Sequence, residues 1–395
     1  VDSITLVSCP DTRIAVAKCA CNYYDDPSRK FKLVGITGTN GKTTTATKMY
    51  ELLEYAGKKV RLAGNAGFSF AKLVADEEDL EYIVLELSSY QLENNPQIHS
   101  HIAGIINLTP DHLARYDSVE DYYITKFNIF SRQTEQDFAL INLDDEVFKK
   151  LYDEKELWKN IKSEKIYLSK EKKGNVFVMD GIIYTMKNLE KKADEVKDED
   201  IHEYAKALIP VRELSLKGSH NLENMLFLIG AAKILGIPDE KTAEFLKTTK
   251  ALEHRLENFF IKGKTVFIND SKGTNVESTL KAIDSFDNSI ILILGGDDKK
   301  ISNRELVERI KERVDSVYLI GDNAPLLIKD MEEMGYKNYR NMETLENILD
   351  YFKKNTDFSK EQTVLFSPAT SSFCQFKNFE HRGNVFKELT VKVLG

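Results

Sequence analysis

The sequence predicts an α/β protein built as two consecutive units, each a mainly parallel sheet covered by helices. Three observations carry this. From residue 31 onward, short runs rich in β-branched residues alternate with segments of helical period. The runs are apolar throughout rather than alternating, which suits strands buried on both faces. The pattern then restarts near Leu252 after two long helical segments, and a chain of 395 residues has room for two or three domains.

In order along the chain, "KLVGIT" (32–37) reads as a buried strand, and "KTTTATKMYELLEYAG" (42–57) as a helix closed by Gly57. "KVRLAG", "YIVLEL", "IAGIINL" and "DFALINL" supply further strands, each followed by loop or helical sequence. The charge-rich stretch 154–200 contains two more strand signals, "KIYLS" and "NVFVMDGIIYTM". Helices are expected at "SHNLENMLFLIGAAKILG" and "DEKTAEFLKTTKAL". The second unit carries four strand signals, "TVFIND", "SIILILGG", "SVYLIGD" and "QTVLFSP", with helices such as "NRELVERIKERV" between them. The expected division is a segment 1–30, a central domain 31–252 and a C-terminal, Rossmann-like domain 253–395.

Bulk chemistry narrows the function. With 55 Lys and Arg against 63 Asp and Glu the formal charge is −8, which argues against nucleic acid as the main ligand. Cys9, Cys19, Cys21 and Cys374 lack the spacing of a zinc site and read as reduced thiols. No apolar run approaches the roughly 18 residues of a membrane span, and no signal-peptide pattern opens the chain. A cytoplasmic, monomeric enzyme acting on small molecules is the expectation.

The chemistry concentrates at predicted strand ends. "TGTNGKTTT" follows the first strand: Gly38 and Gly41 let the backbone turn N–H groups toward phosphate at a helix N-terminus. Lys42 would reach the outer phosphates and the Thr43 hydroxyl would ligate Mg²⁺. The general P-loop motif has glycine five residues before Gly41, where this chain has Ile36, so the loop is a tighter variant. The central domain is thus expected to be a P-loop domain. Glu86 ends a strand where a carboxylate can meet a nucleotide's metal. Asp111 and His112 follow the next strand, and Lys126 on pattern alone is a surface lysine. In the second unit, "HRLE" (254–257), "INDSKGTN" (268–275), "LGGDDKK" (294–300) and "SPATSSFCQFKNFEHRG" (367–383) combine small residues with fixed charges at strand ends.

These motifs together resemble the Mur ligases, the ATP-dependent amide-forming enzymes of peptidoglycan synthesis. The short phosphate loop resembles that family's form. "GNAG", "LELSSYQLE", "LTPDHLARY", "HRLE", "INDSKGTNVEST", "LGGDDK" and "SPATSSFCQFKNFEHRGNVF" resemble its D-glutamate-adding members over residues 31–395. The resemblance implies that ATP phosphorylates the carboxylate of UDP-N-acetylmuramoyl-L-alanine and that the amine of D-glutamate displaces phosphate, a step serving cell wall biogenesis, cell shape and cell division.

It also implies roles for particular residues. Gly38, Thr39, Asn40, Gly41, Lys42, Thr43 and Thr44 would hold the ATP phosphates, and Asn224, Arg255 and Asp270 the rest of the nucleotide. Two Mg²⁺ sites are implied, through Thr43 and Glu86 for one and His112 and a carbamylated Lys126 for the other. The carbamate matters because an ammonium would be repelled by divalent cations, whereas its carbamate is an anion. Asn65 and Ser88 would contact the muramoyl-alanine end; Lys272, Thr274, Lys299, Ser372 and Phe379 would line the D-glutamate pocket. Lys42, Glu86, His112 and Lys126 form the implied catalytic group.

The N-terminus departs from the family. Only some thirty residues precede the first strand, and residues 11–45 look more like the diaminopimelate- or lysine-adding members. Segment 1–30 is therefore expected to be a remnant or linker, with the family's UDP-binding domain missing, supplied by another chain or cut away. Two other readings are a folylpolyglutamate synthase-like ligase and a non-catalytic nucleotide-binding paralogue. "LELSSYQLE" and "QFKNFEHRG" weigh against the first, and the presence of Lys42, Glu86, His112 and Lys126 against the second.

Overall fold

The computed structural model describes residues 15, 19, 22, 23, 27–76, 79–94, 98–110, 115–154, 159, 161–190, 196–297 and 303–395. Most of the expected segment 1–30 lies outside them, as do His112 and Lys299. The chain divides into two compact units, residues 1–216 with 220–249 and residues 217–219 with 250–395.

The first unit is a nine-stranded sheet in the order β2-β3-β1-β4-β5-β6-β7-β8-β9. Strands β1 (Lys32–Thr37), β2 (Val60–Gly64), β3 (Tyr82–Glu86), β4 (Ile102–Ile105), β5 (Phe138–Asn142), β6 (Glu164–Ser169) and β7 (Val176–Met179) pair in parallel. β8 (Ile182–Met186) and β9 (Ala205–Pro210) add two antiparallel strands. β7 and β8 form a hairpin whose turn, Asp180–Gly181, has positive φ at both residues (52° and 72°), the geometry an Asp-Gly pair favours.

β1 sits between β3 and β4, and residues 33–37 are all buried. The chain leaves it first toward β2 and β3 and returns on the other side at β4. That makes the carboxyl end of β1 a topological switch point, where open parallel sheets bind ligands. The helix after it, Lys42–Tyr55, ends as expected at Gly57 (φ 81°), with Lys58 N–H bonded to Leu53 O and Gly57 N–H to Glu54 O. The helix Asp239–Thr248 stops short of the expected 252, because Thr249 turns to extended backbone and its hydroxyl reaches Glu51.

The second unit is a six-stranded sheet in the order β10-β11-β15-β12-β13-β14. β11 (Thr265–Asn269), β15 (Gln362–Phe366), β12 (Ser289–Gly295), β13 (Ser316–Ile320) and β14 (Tyr339–Glu343) are parallel, and β10 (Glu257–Lys262) is antiparallel at one edge. The four strands expected from sequence form the interior. The two edges, β10 ("ENFFIK") and β14 ("YRNME"), lack the long apolar runs of the interior strands because an edge strand needs little burial, and charged edges resist pairing with other chains. Hydrophobic clusters pack on both faces of this sheet, one led by Ile268, Leu292 and Leu306, the other by Phe267, Ile293 and Phe352.

Candidate functional site

In the first unit the phosphate loop leaves β1 with Gly38 at φ 154° and enters its helix through Gly41 at φ 82°. A side chain at Gly41 would place Cβ 2.4 Å from Asn224 Oδ1, so Asn224 packs directly against the turn while it accepts a hydrogen bond from Thr45 Oγ1 at 3.1 Å. The loop is braced by the segment after β4. Thr39 N–H donates to Asn107 O, Asn40 N–H donates to Asn107 Oδ1 (both 2.9 Å), and Asn107 Nδ2 donates back to Asn40 O at 3.1 Å. Thr39 Oγ1 donates to Thr109 O and accepts the Thr109 N–H, both at 3.0 Å. Asp145, whose carboxyl burial pushes above the usual range, accepts Leu108 N–H at 2.6 Å and holds that segment from β5.

Two ammonium groups meet at this loop. Lys42 Nζ donates to Gly38 O (2.9 Å) and Thr39 O (2.7 Å), and Lys126 Nζ donates to the same Gly38 O at 2.7 Å. Lys126 is only 1 % exposed and lies 4.5 Å from the centre of the Tyr122 ring, which overturns the surface reading of this residue from pattern alone. Two cations beside a helix N-terminus make a strong anion site.

Glu86 ends β3 facing Thr43. Its Oε1 accepts from Asn65 Nδ2 at 2.9 Å and Thr43 Oγ1 at 3.3 Å, while its Oε2 is buried with no hydrogen-bond partner among the described residues. An unpaired buried carboxylate oxygen beside a hydroxyl is the donor chemistry of Mg²⁺, which binds through one or two protein oxygens, phosphates and water. The residues therefore fit this ion. Among the described residues no cluster of three or more His, Cys, Asp or Glu could hold a metal by itself.

Ser88, two residues on, also has a structural task. It opens the helix Ser89–Asn94 with a reciprocal cap: Gln91 Oε1 accepts from Ser88 N–H (2.9 Å) and Oγ (3.0 Å), and Gln91 N–H donates to Ser88 Oγ at 3.4 Å.

In the second unit, the loops after β11, β15 and β12 are neighbours because those strands are adjacent. Asp270 follows β11 and accepts from Ser367 Oγ at 2.7 Å and Leu256 N–H at 3.2 Å. Burial drives its carboxyl up to about 7 against the opposing pull of those bonds and of Arg255 and Arg382. Arg255 is held between two left-handed residues, His254 (φ 63°) and Leu256 (φ 46°). The strain is fixed by packing: His254 is buried, bonds to Asn269 Nδ2 at 2.9 Å and lies against Gly383, where a Cβ would come 2.2 Å from its Nδ1. Lys272 Nζ sits 3.7 Å from the centre of the Phe379 ring, so these two expected pocket residues are in contact. Thr274 follows in a tight turn, its N–H bonded to Lys272 O, and Ser372 is buried in the turn after β15.

Sequence reasoning missed the residues that brace these groups. Asn107 and Thr109 read as ordinary loop residues, and Arg382, fully buried and bonded to Ser271, Thr370 and Ser371, lay inside a quoted motif without being singled out. An Arg in the first turn of a helix, where acids are favoured, was the available signal for the last.

Fold and site define a class: a P-loop α/β protein whose chain carries a second α/β unit. Comparison makes this specific. The Mur ligase middle domain matches residues 36–232 and the Mur ligase glutamate ligase domain residues 254–370. The chain is 44% identical to the UDP-N-acetylmuramoylalanine–D-glutamate ligase of Fusobacterium nucleatum, over 95% of this chain and 82% of that one. It is 37% identical to the enzyme of the same name from Koribacter versatilis, over 91% and 75%. Among solved structures, MurF from Acinetobacter baumannii superposes with a TM-score of 0.70 at 18% identity, over 99% of this chain and 83% of that one. MurF from Thermotoga maritima in complex with ADP gives 0.67 at 19%, over 99% and 87%. The chain belongs to the Mur ligase family.

Proposed function

We propose that this chain is an ATP-dependent ligase that adds D-glutamate to UDP-N-acetylmuramoyl-L-alanine in the cytoplasmic stage of peptidoglycan synthesis. The observation that carries the reading is the 44% identity, across 95% of the chain, to a relative named for that reaction. The carboxylate of the sugar nucleotide attacks the γ-phosphorus and ADP leaves; the amine of D-glutamate then attacks the acyl carbon and phosphate leaves.

The N–H groups of residues 38–44 and the ammonium of Lys42 hold the phosphates and offset the charge that develops as the phosphoryl group moves. Asn224, Arg255 and Asp270 hold the nucleotide. Thr43 and Glu86 hold one Mg²⁺, and His112 with the carbamate of Lys126 the second; bound there, the ions neutralise phosphate charge. Carbamylation would exchange the hydrogen bond that Lys126 now donates to Gly38 O for an anionic ligand. Asn65 and Ser88 face the muramoyl-alanine end. Lys272, Thr274, Lys299, Ser372 and Phe379 take D-glutamate, orienting its amine toward the acyl carbon.

Phosphate release from ATP, measured with UDP-N-acetylmuramoyl-L-alanine and each of D-glutamate, L-glutamate, lysine and diaminopimelate, tests the reading. D-Glutamate alone should drive turnover, and removal of dissolved carbon dioxide should depress it through Lys126. Equal turnover with lysine would overturn the amino-acid assignment.

A further inference from the structure

The turn that carries Ser372 is held by two elements, the end of β12 and the C-terminal helix. β12 ends in Gly295 and is followed by Gly296, with φ 117° and 157°. A Cβ on Gly296 would lie 2.3 Å from Ser371 O, so glycine is what lets the end of β12 come against the turn. Asp297, the next residue, engages the turn with four groups. Its N–H donates to Ser371 O at 3.1 Å, and its carbonyl accepts from Thr370 Oγ1 at 2.8 Å. One carboxylate oxygen accepts Phe373 N–H at 3.0 Å, and the other accepts Cys374 N–H.

From the C-terminal helix Arg382 donates through Nη1 to Thr370 O and Ser371 O, both at 3.0 Å. Its Nε and Nη2 bind Ser271 Oγ (3.0 Å) and Ser271 O (2.8 Å), which ties the same turn to the loop of Lys272 and Thr274. Partial burial pushes the Asp297 carboxyl upward, but the hydrogen bonds from Ser371, Cys374 and Phe373 outweigh it and hold the group below the usual range. It is an anion at any physiological pH.

We propose that Asp297 is a positioning residue for amino-acid recognition: it fixes the 370–374 turn so that Ser372 meets a carboxylate of the incoming amino acid. The inference rests on the proposed D-glutamate reading. Asp297 is not itself a ligand of that substrate, since an acidic amino acid is repelled by a carboxylate, and both of its oxygens are already committed to backbone N–H groups.

The test is Asp297→Asn in the full chain. The amide keeps one acceptor and turns an NH₂ group toward a backbone N–H, so two charge-assisted bonds are reduced to one neutral bond. The KM for D-glutamate should rise about tenfold or more, given the strength of such bonds. The KM for ATP should stay within about twofold, and kcat should fall by less than KM rises. Hydrogen exchange of residues 370–376, followed by mass spectrometry, should accelerate without change in the Lys42–Tyr55 helix. Unchanged exchange would overturn the clamp, and faster exchange with an unchanged KM would overturn the positioning role. A simultaneous rise in both KM values would mark general damage and overturn it too. If the wild-type chain turns over with another amino acid instead, the D-glutamate reading fails, and Asp297 is judged on the KM of that amino acid.

Discussion

At the scale of single residues, several ionisable groups sit where water cannot solvate them, and each is answered differently. Lys126 donates a hydrogen bond to a backbone carbonyl, Glu86 leaves one oxygen open, and Arg382 spends its donors on Ser271 and on two carbonyls of the 370–374 turn. Asp270 answers burial by holding its proton up to about pH 7. The consequence for stability has a definite sign. Below the ordinary aspartate range the carboxyl is neutral in both folded and unfolded chains. As pH rises to 7 the unfolded chain ionises freely while the folded one cannot, so the folded state loses stability over that window. Asp270→Asn removes this dependence. The variant should gain on the wild type progressively from about pH 4 to 7, by at most about 4 kcal/mol, the value of the shift at 1.36 kcal/mol per unit. Urea denaturation at a series of pH values measures it; a difference between the two proteins that does not vary with pH would rule the account out.

At the scale of elements, the loop–helix junction shows why the same residue type does different work at two ends of one helix. Gly41 and Gly57 have nearly the same φ, 82° and 81°. A Cβ at Gly57 meets nothing within 4 Å, whereas one at Gly41 meets Asn224 Oδ1. Gly57→Ala should therefore cost only the left-handed backbone penalty, about 1 kcal/mol, and leave nucleotide binding alone. Gly41→Ala adds a clash that must move Asn224 or the loop, and should weaken binding of a non-hydrolysable ATP analogue by on the order of tenfold or more. Calorimetric titration of both variants decides it: equal binding by the two would mean that Asn224 is not what shapes the loop.

At the scale of the molecule, two units each carry their own sheet and cores, the first around Leu33, Ile83 and Ile105, the second around Leu292 and Phe366. Domains with cores of their own can unfold as separate cooperative blocks. Differential scanning calorimetry of the ligand-free chain should give a calorimetric enthalpy larger than the van't Hoff enthalpy. A single transition with equal enthalpies would show that the units melt as one.

The residues by themselves determined the α/β class, the interior strands and the phosphate loop, because these depend on local chemistry: uninterrupted apolar runs such as "SIILILG", glycines before Lys42, a helix closing at Gly57. They also marked the strand ends where ligands gather, since a parallel sheet forces every such end to one edge. What they left open depends on groups far apart in the chain. The edge strands β10 and β14 exist only because β11 and β13 offer them unpaired backbone. Lys126 reads as a surface lysine until folding brings it, across 88 residues of sequence, to the carbonyl of Gly38. The resemblance implies a ligand contact for Ser88, and folding adds a helix cap that Ser88 makes with Gln91. The braces of the site, Asn107 on the phosphate loop and Asp297 and Arg382 on the Ser372 turn, bond mainly to backbone. A backbone amide or carbonyl has the same chemistry at every position, so no residue type announces such a partner, and only the tertiary structure chooses it.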